Sequence, residues 1–152
     1  MMTLSSCPLR FEMEDFFCSQ TGSSIACNFA SSLVNIDRTV DAVKNFLDRR
    51  DIVISQFELV FVLREALNNA VIHGNDNDSS RRVDCTLRLA RNTINITVTD
   101  QGKGFDWRRQ LGRTPVATST TSGRGLNAML RYGFAMRFNA AGNTLYLTKK
   151  IR

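Results

Sequence analysis

Apolar residues along this chain change period several times, and each change marks an element. Ile25, Cys27 and Phe29 alternate with polar or small neighbours, the period-two pattern of a strand with one buried face. Ile36, Val40, Val43 and Leu47 recur at the spacing of one helical face, which predicts an amphipathic helix over 36–49. Ser55-Gln-Phe-Glu58 is a capping-box pattern opening a second helix. That helix is expected to run to His73, with Gly74 supplying the left-handed position past its end. Val83, Cys85, Leu87 and Leu89 alternate up to a turn at Arg91-Asn92, and Ile94, Ile96 and Val98 alternate after it, an antiparallel hairpin. A short helix from about Gly125 to Arg131 and strands over 134–139 and 144–151, joined at Gly142-Asn143, complete the series. Asn75 to Ser80 is polar, and 106–122 lacks periodicity and reads as a flexible loop. Helices preceding a mostly antiparallel sheet predict an α+β fold, a two-layer sandwich with helices on a sheet.

Residues 1–23 read as an N-terminal extension to a main domain over 24–152. Leu9, Phe11 and Met13 alternate with charged residues as an added strand would, and Ser19 to Ser24 forms a turn or linker.

Length and composition narrow the function class. The 152 residues fit one domain with one core, at an ordinary 43% hydrophobic content. The longest central apolar stretch, Leu59 to Leu63, stops at Arg64, and the N-terminus lacks a secretory pattern, so no membrane role and a cytoplasmic location are expected. A net charge of +6 favours anions. The basic pairs, such as Arg49-Arg50 and Arg81-Arg82, are not interleaved with aromatics, which argues against a nucleic-acid surface. Four cysteines without a Cys-x-x-Cys pair and a single histidine argue against a zinc site. Cys27 and Cys85 read as buried free thiols of a reducing compartment.

Three segments carry candidate chemistry. Glu65, Asn69 and His73 fall four residues apart on the second helix, sharing one face. Polar groups beside an apolar stripe need partners, and His73 in the last turn also suits a capping role. Asp100 continues the inward series Ile94, Ile96, Val98. Either a ligand donates to that carboxylate, or the strand stops at Thr99 and Asp100 starts a turn. Gly102 and Gly104 fit both a turn and close approach of backbone to a ligand. The third segment, Ser122-Gly-Arg-Gly-Leu126, immediately precedes the short helix, a reasonable phosphate site.

Together Glu65 to Gly74, Asp100 to Phe105 and Ser122 to Leu126 resemble the N box and the two G boxes of the GHKL ATPase superfamily, which includes gyrase and histidine-kinase ATP domains. The layout over about 24–151 is most similar to the anti-sigma-factor serine/threonine kinases of bacterial sporulation and general-stress control. The resemblance implies the histidine-kinase/gyrase-type fold, with ATP and Mg²⁺ as cofactors. It implies Glu65 as the catalytic carboxylate and Asn69 as the metal ligand, with Asp100 accepting from the adenine amino group. Gly102 and Gly104 would let the chain pass the base, and Gly123, Arg124, Gly125 and Leu126 would offer backbone donors to the phosphates. His73, Phe105, Thr121 and Ser122 fall within or beside the matched boxes, 106–122 would be the lid, and Thr144 resembles a pocket threonine near adenine. The implied partners are an anti-anti-sigma-type antagonist protein and a sigma factor or equivalent regulator. A homodimer or partner surface is implied at the first strand and the exposed face of helix 36–49, with Arg38, Asp41 and Lys44. Two departures stand out: Thr121 sits where family kinases carry an arginine, with Arg124 a candidate substitute, and Asn75 replaces an aromatic residue. The alternatives are a non-catalytic ATP-binding partner-switch module and a detached histidine-kinase ATP domain.

Overall fold

Capping chemistry sets where the helices begin. Ser32 accepts from the Asn35 N–H, so helix α1 spans Leu33–Asp48 and starts before its apolar stripe does. Ile36, Val40, Val43 and Leu47 are buried as their spacing requires, while Leu33 and Val34 in the first turn are exposed. Ser55 caps helix α2 (Gln56–Asn68), accepting from the Glu58 N–H at 3.4 Å. Only half of the capping box forms, because the Glu58 carboxylate instead takes Lys149 Nζ at 2.9 Å.

The architecture comes from a computed structural model that describes residues 15–104 and 121–151, with the side chains of 121–124 outside it. Six strands form one sheet: β1 (Phe16–Gln20), β2 (Ser24–Ala30), β3 (Arg82–Ala90), β4 (Thr93–Thr99), β5 (Ala135–Phe138) and β6 (Thr144–Lys150). Their order is β1-β2-β3-β4-β6-β5, every neighbouring pair antiparallel. Helices α1, α2 and α3 (Thr121–Arg131) supply the second layer of the α+β sandwich. The core lies between the layers, where Phe29, Leu87, Ile94 and Ile96 of the sheet meet Phe46, Leu59, Leu63 and Met129 of the helices. No helix among the described residues is long and apolar enough to cross a membrane.

The hairpin of β3 and β4 keeps the register that alternation demands, with Leu87 opposite Ile96 and Cys85 opposite Val98. Strand β1 has no clean alternation, since Phe16 and Phe17 are adjacent. Pairing defines it instead, with Cys18 opposite Cys27 and Gln20 opposite Ile25. The strand preceding β2 among the described residues is therefore Phe16–Gln20, and the turn is confined to 21–23. The alternating residues Leu9 to Met13 lie outside the described residues.

Cys27 is not a free thiol. It is disulfide-bonded to Cys18 across β1 and β2, with Cα atoms 4.1 Å apart, while Cys85 is free and buried. Alternation identified Cys27 as buried but carried no information on the strand opposite. Burial, with the neighbouring Asp84 charge, pushes the Cys85 thiol up to about 12.

Candidate functional site

Helix α2 gives way at Asn69 to a π-helical turn over Asn69–Gly74. The wider turn shows in the bond from the Asn75 N–H to the Ala70 carbonyl at 2.8 Å. Glu65 and Asn69 stay one turn apart, but the regular spacing does not extend to His73. That histidine is exposed at the rim of a cavity which Asn69 also lines.

Asn75 explains the widened turn. Its side chain is fully buried and accepts from the Gln101 N–H at 2.8 Å. It also donates to Ser31 Oγ at 2.8 Å and to the Arg82 carbonyl at 3.0 Å. One amide thus ties the end of the helical segment to the sheet at three points, which an aromatic ring could not do.

Gly74 does not supply a left-handed residue; Asp76 (φ 52°) and Asn77 (φ 56°) do, in the polar loop that follows. Gly74 is glycine because a Cβ there would lie 2.3 Å from the Asp100 carboxyl carbon. A Cβ on Gly102 would lie 2.0 Å from the Gly74 carbonyl oxygen. Gly104 is doubly constrained, with φ of 78° and a Cβ position 1.7 Å from the Ala141 carbonyl oxygen. The first two glycines pack their backbones around one carboxylate, and the third packs against the 139–143 turn.

The turn reading of Asp100 holds. Strand β4 ends at Thr99, and Asp100 Oδ1 starts a turn by accepting from the Gly102 N–H at 2.8 Å. The carboxylate also lines the cavity. Burial raises its pKa above the ordinary aspartate value, against the opposing pull of the Gly102 N–H and the Arg81 charge.

The cavity encloses about 250 Å³. Ala66, Ala70, Val98, Phe138 and Leu145 form apolar walls, and Asn69, His73, Asp100 and Asn143 add polar groups. This mixture suits a flat heterocycle edged by hydrogen-bonding groups.

Helix α3 begins at Thr121, four residues before its expected start. The Ser122-Gly-Arg-Gly segment is thus the first helical turn and not its approach. The amides of that turn without an intrahelical partner are those of 121–123, while the N–H groups of Arg124, Gly125 and Leu126 are spent inside the helix. The Leu126 side chain is buried in the core. Gly125 has another role: a Cβ there would come 2.5 Å from Glu65 Oε2, so the helix start packs directly on that carboxylate. Glu65 is half-buried, and none of the described residues hydrogen-bonds its side chain or that of Asn69. Phe105 and the lid residues through 120 lie outside the described residues.

Thr144 stands apart from the cavity. Its Oγ1 shares a 3.0 Å hydrogen bond with Thr99 Oγ1, on the sheet face opposite to Val98 and Leu145. Asn143 takes the pocket place beside it, bonding the Asp100 carbonyl through Nδ2 at 3.3 Å while its own carbonyl accepts the Asp100 N–H at 3.0 Å. Asn139 fixes this turn. Its Oδ1 accepts from the N–H groups of Gly142, Asn143 and Thr144, and its Nδ2 donates to Asn143 Oδ1. Sequence reading named Asn143 only as part of the joint between strands and overlooked Asn139, although an Asn placed three residues before Gly142-Asn143 is a turn signal. Arg38, expected on a partner surface, lies 4.3 Å over the Phe16 ring and so packs α1 against β1.

Gly104→Ala is expected to lower folding stability by at least about 1–3 kcal/mol, the cost of a left-handed non-glycine residue alone. Urea unfolding measures it, with Gly22→Ala as a control at a position where nothing lies within 4 Å. Equal midpoints for the two variants would refute the close approach at Gly104.

Comparison with known proteins agrees with this geometry. A family model described as a histidine kinase-like ATPase domain matches residues 29–149. An anti-sigma F factor of Anoxybacillus flavithermus is 29% identical over 115 residues, covering 73% of this chain and 69% of that protein. Another from Bacillus licheniformis is 25% identical over 140 residues, covering 88% and 86%, and one from Oceanobacillus iheyensis is 28% identical over 118 residues, covering 72% and 80%. With its matched region spanning most of the sequence, and Asn69, Asp100, Gly74 and Gly104 gathered around one cavity, the chain belongs to the histidine kinase-like ATPase family.

Proposed function

We propose that the chain is an ATP-dependent serine/threonine protein kinase of the anti-sigma-factor type. It would phosphorylate an antagonist protein and sequester a sigma factor or an equivalent regulator. The observation that carries this reading is a pocket lined by Asn69 and a glycine-boxed Asp100, with the half-buried Glu65 one helical turn before Asn69 and neither the Glu65 nor the Asn69 side chain partnered among the described residues. The relatives named as anti-sigma F factors support the partner class.

The donor set fits the group the family implies. Asp100 is an acceptor at the end of an apolar slot, as an adenine amino group requires. Asn69 offers a side-chain oxygen beside Glu65, a suitable hard ligand for Mg²⁺. The first turn of α3 presents amides to phosphate. Bound there, magnesium ATP supplies the transferable phosphoryl group and an electrophilic phosphorus.

The protein's contribution is positional and electrostatic. Glu65 would accept the proton of an incoming serine or threonine hydroxyl, and its nearness to Gly125 keeps it beside the start of α3, whose amides would hold phosphate. Asn69 would hold the metal, and the apolar walls would exclude water from the base. Burial of Asp100 makes its acceptor role toward the base selective, because a base without a donor there leaves the carboxylate with the Gly102 N–H and no donor from the ligand.

The test is incubation of the purified protein with labelled ATP, magnesium and a serine-bearing antagonist. Label on the antagonist is the expected result. Thr121 in the arginine position favours a second reading, a non-catalytic module whose partner affinity responds to ATP. Calorimetric binding of ATP without any phosphoprotein supports that module, and no binding heat at all overturns both.

A further inference from the structure

Three cysteines lie in one row across the sheet. Cys18 of β1 is opposite Cys27 of β2, and Cys27 is opposite Cys85 of β3. Directly opposed residues of antiparallel strands share a face, with Cβ atoms about 4.5–5.5 Å apart. That face is the one beneath the helices, where Cys27 and Cys85 are both buried and Cys18, on the edge strand, is partly exposed. Cys18 and Cys27 form the disulfide, and Cys85 is a free thiol. The middle cysteine therefore has a sulfur neighbour on each side and can bond only one at a time.

We propose that this row is a thiol–disulfide exchange site in which Cys27 alternates between Cys18 and Cys85. The Cys85 sulfur, once deprotonated, attacks Cys27 Sγ. The Cys27–Cys85 bond forms as the Cys18–Cys27 bond breaks. The electron pair leaves on Cys18 Sγ, which takes up a proton, while the proton lost by Cys85 passes to solvent. One disulfide replaces another, so the step consumes neither oxidant nor reductant. Substitution at sulfur needs nucleophile, central atom and leaving group in line, and the register of three strands sets the three cysteines in one row in that order.

Burial shapes the chemistry. Cys85 is held as a thiol by its surroundings, so exchange is slow at neutral pH and quickens in alkali. Cys18, at the sheet edge, is the sulfur that a soluble thiol reaches first. With Cys27 bonded to Cys18, β1 is covalently fastened to the sheet. With Cys27 bonded to Cys85, β1 is held among the described residues by non-covalent contacts alone, including its backbone pairing, the Phe16–Phe29 contact, Arg38 over the Phe16 ring and the Asn35 bonds to Asp15. The site thus sets how firmly the edge strand is held, whatever the nucleotide pocket does.

The experiment uses the full chain carrying Cys7→Ser, which leaves Cys18, Cys27 and Cys85 as its cysteines. Samples held at neutral pH and at about pH 10, where more of the buried thiol ionises, are acid-quenched, alkylated and mapped by peptide mass spectrometry. The expected result is Cys18–Cys27 at neutral pH, with Cys27–Cys85 peptides and alkylated Cys18 accumulating in alkali. Adding Cys18→Ser and oxidising with glutathione disulfide is expected to give the Cys27–Cys85 bond directly. Hydrogen exchange of the Phe16–Gln20 amides is expected to be faster in that form. Absence of Cys27–Cys85 peptides in both preparations overturns the proposal, as does their appearance only in disulfide-linked dimers. If the Cys18→Ser variant does not fold, the alkaline sulfur map of the parent chain decides alone.

Discussion

Glu65→Gln is expected to leave ATP affinity within about twofold while phosphotransfer falls by roughly 10²–10⁴, the usual share of a general base. The substitution keeps the shape that packs against Gly125 and removes only the basicity. A glutamine amide in this place cannot accept the hydroxyl proton, so the loss falls on turnover and not on binding. Calorimetry with ATP and magnesium, paired with a labelled-phosphate transfer assay, separates the two quantities. Unchanged transfer would remove Glu65 from the chemistry, whereas joint loss of binding and transfer would assign it to the pocket structure. Gly125 makes this a demanding test, because its lack of a side chain serves only to admit the carboxylate.

Asp100→Asn is expected to weaken ATP binding by about 10–100-fold, in line with loss of a hydrogen bond to a buried charged group. The same change has an opposite effect on the free protein. Because burial raises the Asp100 pKa, the native state binds its proton more tightly than the unfolded chain does. Between the ordinary aspartate value and that raised value, stability therefore falls as pH rises, and at neutral pH the ionised group still carries the cost. Asparagine carries no such charge, so the free variant is expected to unfold no more easily than the parent at neutral pH. ATP affinity of the parent is expected to decline as acid protonates Asp100, and that of the variant to stay flat over the same range. A variant that binds ATP normally would defeat the adenine role, and one that unfolds early would trace the effect to the turn at Gly102.

Most of the sheet and two of its helices were legible because their apolar residues follow one period without interruption. Ile94, Ile96 and Val98 announce a face, and Asp100 two residues later is visible as the exception to it. Strand β1 was hidden because Phe16-Phe17-Cys18 has no period of its own and is defined only by the strand beside it. The disulfide was hidden for the same reason, since opposition of Cys18 and Cys27 is a property of register and not of spacing. The turn over 69–74 was misread as α-helix because a π turn differs from an α turn in hydrogen bonding and not in composition. Its cause, the buried amide of Asn75, sits in a polar run that looks like an ordinary loop. At Thr144 the error was one position. A one-residue step along a strand reverses the face, and the cavity is lined by Asn143 and Leu145 instead.

The widened turn also constrains how this chain can change. Removing one residue from 69–74 would restore a regular helix, and every residue beyond it would swing by about 100° around the axis. Gly74 would then leave the Asp100 carboxylate and Asn75 would lose the Gln101 peptide. Local helical regularity and an intact cradle are therefore in direct conflict within six residues, and the fold has resolved it in favour of the cradle.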